Sequence, residues 1–139
     1  MNSLSNKKIL VVICGGISAY KSLELIRGLK KKQVEIKTII TKSAKEFVTP
    51  LSITSLSQGK VYEDLFSSES ESEMDHISLS RWADLIIVVP ATANTISKLS
   101  NGLTDDLAST VLLASNKKIF IAVSYTHLTL PTIAGVYVS

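Results

Sequence analysis

The feature that most constrains this chain is an unbroken apolar run, Ile9–Ile13, which is followed by Gly15-Gly16. Such runs of β-branched residues and leucine are typical of strands buried on both faces of a parallel sheet. Apolar side chains then recur at helical spacing, which predicts a helix over Ser18–Lys31 packed against that strand. The first unit of the fold is therefore a strand followed by a helix.

Further strands and helices alternate along the chain. The apolar runs predict strands over Glu35–Ile40, Asp84–Val89 and Lys117–Val123, and helices over 41–48, 51–57, 95–99 and 105–114. This alternation predicts an α/β fold with three layers, a doubly wound parallel sheet of the Rossmann-like or flavodoxin-like type. Ligands of such folds bind at the carboxyl ends of the strands.

The chain has the length of one domain, which we assign to residues 1–123. The stretch Glu63–Asp75 is rich in serine and glutamate, lacks apolar periodicity and is predicted to be a surface loop. Residues 124–139 do not continue the alternation, so we expect a fold truncated at the C-terminus and an atypical tail. That tail is either foreign or frame-shifted sequence or an unusual terminus, and its β-branched residues leave a short added strand open.

Composition and charge exclude several classes of protein. The net charge is +3, but the run Lys30–Lys32 lies at a predicted helix end, and no nucleic-acid-binding module accompanies it. The longest apolar run, Ile9–Cys14, is too short for a membrane span, and no signal-peptide core precedes it. The single cysteine, Cys14, excludes an internal disulfide and a cysteine-rich metal site. We expect a cytoplasmic protein with no metal, membrane or nucleic-acid partner.

Two predicted loops combine features that favour an anion. Gly15 and Gly16 with Ser18 provide flexible backbone, free N–H groups and a hydroxyl at a strand-to-helix turn. Thr41 and Ser43 follow the next strand and add hydroxyl donors to the same edge of the sheet. A tight connection and an ordinary helix cap are the alternative interpretations of these two loops.

The segment Pro90–Thr95 is the most informative motif. Its small residues allow a flat ring to approach the backbone, and its polar side chains can surround the ring edge; the candidate residues are Pro90, Ala91, Thr92, Asn94 and Thr95. A strand closed by proline and followed by a capped helix is the alternative.

Two further positions carry titratable side chains. His76 follows the acidic stretch, can titrate near neutral pH and could meet a substrate carboxylate, although an isolated surface histidine is the alternative. Asp105-Asp106 precedes a predicted helix and is either a capping pair or a contact to a ligand or partner.

Five motifs in this order and spacing resemble the homo-oligomeric flavin-containing cysteine decarboxylases. They are 15–21 (GGISAYK), 75–79 (DHISL), 82–84 (WAD), 90–95 (PATANT) and 101–107 (NGLTDDL). Within that family, the chain is most similar to the branch that decarboxylates phosphopantothenoylcysteine to phosphopantetheine in coenzyme A biosynthesis.

The resemblance implies FMN, with its phosphate at the loop of Gly15, Gly16 and Ser18 and at Ser43, and its ring near Pro90–Thr95. It implies that His76 matches the active-site histidine of the family. It also implies homo-oligomers built from trimers, with phosphopantothenoylcysteine as the small-molecule substrate. The flavin carries the electron chemistry in such enzymes, and the protein supplies orientation and electrostatics.

The chain departs from the family after Val123. The family continues there with a Pro-Ala-Met-Asn segment and later with a clamp that bears a catalytic cysteine, and neither is found in this sequence. We therefore expect an incomplete decarboxylase domain. A peptidyl-cysteine decarboxylase, a flavin prenyltransferase and a non-catalytic FMN-binding subunit are the alternatives.

Overall fold

A computed structural model describes residues 5–63, 77–103, 106–123 and 136–138. The strands in these residues form one six-stranded sheet in which every pair is parallel. They are β1 (Lys8–Ile13), β2 (Glu35–Ile40), β3 (Val61–Glu63), β4 (Leu85–Ala91), β5 (Lys118–Val123) and β6 (Val136–Val138). Their order, β3-β2-β1-β4-β5-β6, is that of the Rossmann fold. The predicted α/β fold with a doubly wound parallel sheet is confirmed.

Helices cover both faces of the sheet. They are α1 (Lys21–Lys30), α2 (Pro50–Ser57), α3 (77–82), α4 (Ala93–Asn101) and α5 (Leu107–Ala114), with short 3-10 turns at Ile17–Tyr20 and Ser43–Glu46. One core cluster joins α1 and α2 to the sheet, and a second joins α3, α4 and α5 to the opposite face. Strand β1 contributes to both clusters, with Val11 on one face and Val12 on the other, so the prediction that it is buried on both faces is confirmed.

Two prolines lie within elements whose predicted bounds excluded them. Pro50 occupies the first position of α2, where Thr49 is the N-cap and accepts a hydrogen bond from Ser52 N at 3.0 Å. A proline is favourable there because the first N–H groups of a helix have no partner within it. Strand β4 continues through Pro90 to Ala91, and its register with β5 shifts between Val88 and Ala91.

Two short elements have no clear signal in the sequence. Strand β3 has three residues and lies at one edge of the sheet, and the structure describes six residues of α3. Of the segment 124–139 the structure describes only Val136–Val138, which pair with β5 as β6 at the other edge. The sequence analysis allowed a short added strand in this segment, and β6 is that strand.

Asp84 connects the start of β4 to the start of β1 through two hydrogen bonds. Its carboxylate Oδ2 accepts a hydrogen bond from Lys8 N at 2.9 Å, and its own N–H donates to Lys8 O at 2.7 Å. The motif Trp82-Ala83-Asp84, which carries part of the family resemblance, therefore has a structural function at the amino-terminal edge of the sheet. The same contacts align the two strands whose opposite ends border the candidate site.

The core contains a hydroxyl that should be dispensable. Thr38 Oγ1 is buried in β2 and has no hydrogen-bond partner among the described residues. A buried polar group without a partner destabilises the fold, whereas valine has the same shape without the hydroxyl. We therefore expect Thr38→Val to raise the free energy of unfolding by about 1 kcal/mol, measured by urea denaturation. Thr38→Ser, which keeps the hydroxyl and loses a methyl group, should lower it, and a loss of stability in Thr38→Val would contradict the prediction.

Candidate functional site

A cleft of about 480 Å³ opens at the carboxyl ends of β1, β2 and β4. It lies where the strand order reverses between β1 and β4, the position at which open α/β sheets bind their ligands. Its volume falls within the range of ligand pockets, about 300–1,000 Å³. Five of the predicted site residues line it: Thr41, Ser43, Thr92, Asn94 and Thr95.

The loops after β1 and β2 are packed directly against each other. A Cβ atom at Gly15 would lie 2.5 Å from Ser43 Oγ, so no larger residue fits without moving one of the loops. Thr41 N donates to Ile13 O at 3.0 Å, and Thr41 Oγ1 accepts from Ala44 N at 3.3 Å and lies 3.5 Å from Ser43 Oγ. The two loops that the sequence predicted to be neighbours are therefore in contact.

Gly16 and Ser18 complete the first loop. Gly16 has a φ of 143°, which glycine adopts readily and residues with a Cβ rarely do. A Cβ atom added at Gly16 would lie 3.9 Å from Pro90 Cγ. This contact brings the first loop to the loop after β4. The Ser18 hydroxyl is buried and has no hydrogen-bond partner among the residues that the structure describes. Gly16 and Ser18 are not among the residues that line the cleft; they belong to the loop whose neighbour, Cys14, does.

The loop after β4 begins α4 at the third side of the cleft. Thr92 is the N-cap: its Oγ1 accepts from Thr95 N at 3.2 Å and lies 3.0 Å from Thr95 Oγ1. Thr95 Oγ1 in turn donates to Cys14 Sγ at 3.3 Å, which fixes the first turn of α4 against the end of β1. Pro90 and Ala91 are buried behind this turn. The segment is thus a helix cap and also a wall of the cleft.

Five lining residues were not among the predicted site residues: Cys14, Lys42, Glu46, Lys98 and Asp106. Cys14 is buried, as expected for a core residue, but its sulfur also faces the cleft. Lys98 follows Asn94 by four residues and Thr95 by three, so helical spacing could have placed it on the same face of α4. Asp106 was predicted to be a cap or a contact, and it is the N-cap of α5.

Asp106 carries a negative charge in the wall of the cleft. Its Oδ1 accepts from Ser109 N at 2.8 Å and from Ser109 Oγ at 2.6 Å, and Oδ2 accepts from Lys98 Nζ at 2.9 Å. Burial raises the pKa of the Asp106 carboxyl, but the hydrogen bonds from Ser109 and the Lys98 ammonium outweigh it and hold that pKa below its usual value. The group is therefore ionised at neutral pH.

Other expectations concern parts of the chain that are not described. His76 and the acidic stretch up to it lie outside the described residues, apart from Glu63 at the end of β3. Across 5–63, 77–103, 106–123 and 136–138, no group of three or more metal-ligating side chains occurs, and no helix has both the length and the apolar character of a membrane span.

The fold and the cleft define an open α/β protein with a polar, glycine-bordered cavity at its topological switch point. The family model described as Flavoprotein matches residues 1–132, and the chain belongs to that family. It is 46% identical over 119 residues to the coenzyme A biosynthesis bifunctional protein CoaBC of Haemophilus influenzae and 44% identical over 119 residues to that of Bacillus subtilis. These matches cover 86% of this chain but only 30% and 29% of the two relatives.

Solved structures of similar fold include a PPC decarboxylase mutant complexed with pantothenoylaminoethenethiol, at a TM-score of 0.74 and 25% identity over 88% of this chain and 69% of the other. The peptidyl-cysteine decarboxylase EpiD has a TM-score of 0.72 and 27% identity over 86% of this chain and 71% of the other. The FMN binding protein AtHal3 has a TM-score of 0.73 and 25% identity, over 86% and 66%.

The ionised Asp106 should make stability depend on pH. Because its pKa is lower in the folded than in the unfolded chain, its contribution is present above the ordinary carboxyl range and is lost as pH falls through the folded value. Asp106→Asn should lower the free energy of unfolding by about 1 kcal/mol near pH 7, since the group is partly exposed. The difference should shrink as pH falls from about 5 to about 2. Asparagine remains a good N-cap, so urea titrations of the wild type and the variant isolate the effect of the Asp106 charge on stability. A stability difference that does not depend on pH would contradict the assignment.

Proposed function

We propose that this chain is the flavin-binding part of an FMN-dependent decarboxylase that converts 4'-phosphopantothenoylcysteine to 4'-phosphopantetheine in coenzyme A biosynthesis. The observation that carries the proposal is the convergence of three loops on one cleft, in which Gly15 lies against Ser43 and Gly16 lies near Pro90. The identity of 46% to a coenzyme A biosynthesis protein supports this branch of the family. The chain spans less than a third of that relative, so the whole reaction is proposed for a longer protein.

The residues of the cleft fit FMN. Phosphate needs several donors, and we assign it to the backbone of Gly15 and Gly16 and to the hydroxyls of Ser18, Thr41 and Ser43. The buried Ser18 hydroxyl supports this assignment because it lacks a partner among the described residues. The ring would lie against the wall formed by Thr92, Asn94 and Thr95, with Pro90 and Ala91 buried behind it.

When bound, the flavin would supply the two-electron oxidation of the thiol-bearing carbon, after which the neighbouring carboxylate can leave as carbon dioxide, and the reduced flavin would return the two electrons to the resulting enethiol to give the saturated thiol product. The chain's own residues would bind the phosphate, orient the ring and exclude water from the first turn of α4. We assign to His76 the placing or removal of a proton at the reacting group of the substrate. The asparagine and cysteine segments of the family would have to come from sequence that this chain does not contain. We further propose a cytoplasmic homo-oligomer built from trimers.

Other flavin chemistries on the same fold are the main alternatives. The similarity to a peptidyl-cysteine decarboxylase at 27% identity favours a second substrate class, a peptide with a C-terminal cysteine. The two classes share the flavin pocket and differ in the substrate that reaches it. The two substrate classes can be distinguished by measuring which of the two, phosphopantothenoylcysteine or a cysteine-terminated peptide, the same preparation decarboxylates.

The phosphate site can be tested at Gly15. Gly15→Ala places a methyl group against Ser43, which should separate the two loops and weaken FMN binding at least about tenfold, as judged by quenching of flavin fluorescence. Gly28→Ala is a matched control, since a Cβ there meets no atom within 4 Å, and it should bind FMN like the wild type. FAD and NAD should bind more weakly than FMN because the loops lack a dinucleotide fingerprint. A folded chain that binds no FMN would refute the proposal.

The proposed role of His76 requires a chain extended with the native C-terminal region of the family. In that protein His76→Asn should leave the dissociation constant of FMN unchanged and slow decarboxylation about 100-fold or more, because the proposed role is in proton transfer. Release of carbon dioxide under single-turnover conditions measures the effect. Unchanged turnover would remove His76 from the site.

A further inference from the structure

We propose that Lys98 determines the charge selectivity of the cleft by neutralising Asp106, so that the wall beside α5 does not repel a phosphate held at the loops after β1 and β2 in the same cleft. The inference rests on the proposed function, since FMN is the anion considered. Lys98 Nζ lies 2.9 Å from Asp106 Oδ2, and both side chains line the cleft with only 18% and 25% of their surfaces exposed. The pair joins the face of α4 that carries Asn94 and Thr95 to the first residue of α5.

The carboxylate of Asp106 is held in place for a structural reason. It caps α5 through two hydrogen bonds from Ser109, and the Ser109 hydroxyl lies 3.3 Å from Asp106 N in the reciprocal contact of a capping box. A carboxylate fixed in this way cannot turn out of the cleft without releasing the helix end. The cap therefore leaves a negative charge in the cleft wall unless a cation accompanies it.

Lys98 is equally well placed to be that cation. Its backbone carbonyl accepts Leu103 N at 2.9 Å, in the turn where Gly102 ends α4 in the left-handed conformation. Lysine side chains of a helix lean toward its N-terminus, which for α4 is the end at the cleft. The ammonium group thus meets the carboxylate across the turn, and each charge lies within the cavity lining.

Among the lining residues that the structure describes, the two lysines balance the two carboxylates. Lys42 and Glu46 are exposed, whereas Lys98 and Asp106 are mostly shielded from solvent. Solvent and salt screen the first two strongly, so the shielded pair controls the local potential. Without the ammonium of Lys98, the partly buried carboxylate would repel the phosphate of FMN. Without the charge of Asp106, the ammonium would attract it.

The two variants therefore have opposite expected effects, which a loss of packing would not produce. In the full chain, Lys98→Met should weaken FMN binding about tenfold, and Asp106→Asn should bind FMN at least as tightly as the wild type. Riboflavin has the same ring without the phosphate, so its affinity should change little in either variant. Lys45→Met removes a lysine that pairs with Glu63 outside the cleft, and it should leave both affinities unchanged.

Flavin fluorescence titrations at low and high salt, with urea midpoints as the measure of folding, complete the test. Equal losses for FMN and riboflavin in Lys98→Met, or a loss of FMN affinity in Asp106→Asn as large as that in Lys98→Met, would overturn the inference. So would an unchanged FMN affinity in Lys98→Met. If Lys98→Met does not fold, Asp106→Asn alone decides, because weaker FMN binding there contradicts the predicted sign. A folded wild-type chain that binds no FMN would instead refute the proposed function.

Discussion

The contact between Gly15 and Ser43 is the constraint on which the cleft depends. Strands β1 and β2 pair in register up to Ile13 and Ile40, so the residues that follow them emerge side by side. Loops that follow neighbouring strands are usually far enough apart for the side chains of both loops to fit between them. Here the backbone of one loop lies against the side chain of the other, and only a residue without Cβ permits this distance. Both sets of polar groups consequently face one small volume.

The burial of β1 on both faces keeps that contact in place. Its residues from Ile9 to Ile13 are fully buried, and the strand is paired with β2 on one side and β4 on the other. The loop that follows β1 is therefore supported by a strand that is packed on both faces and paired along both edges. The contacts of Thr41 N with Ile13 O and of Thr95 Oγ1 with Cys14 Sγ attach the other two loops to the end of the same strand. A site that has to hold a ligand without rearranging gains most from such an anchor.

The parts of the fold that were predictable are those whose signal is local. Long apolar runs identified the four longest strands, and the polar residues that follow two of them identified half of the residues that line the cleft. Strand β3 and helix α3 were missed because the three residues of β3 and the six described residues of α3 are too few to show a period. The pairing of Lys98 with Asp106 was missed because it crosses a turn and joins two helices. The role of His76 stays a prediction because His76 lies outside the described residues. The roles of the residues proposed to contact the flavin stay predictions as well.

Asp106 illustrates how a requirement of folding can set a requirement of binding. A helix that begins at a ligand site needs a cap there, and aspartate is among the best caps because its oxygens accept the free N–H groups. The same oxygens bring a negative charge to the cleft in which we propose that an anion binds, so the cap of α5 favours a charge that the proposed ligand would not. An asparagine cap would avoid the conflict but would lose the charge-assisted hydrogen bonds of the carboxylate. Lys98 on the preceding helix, α4, resolves the conflict differently, because its ammonium group neutralises the carboxylate while Asp106 still caps α5.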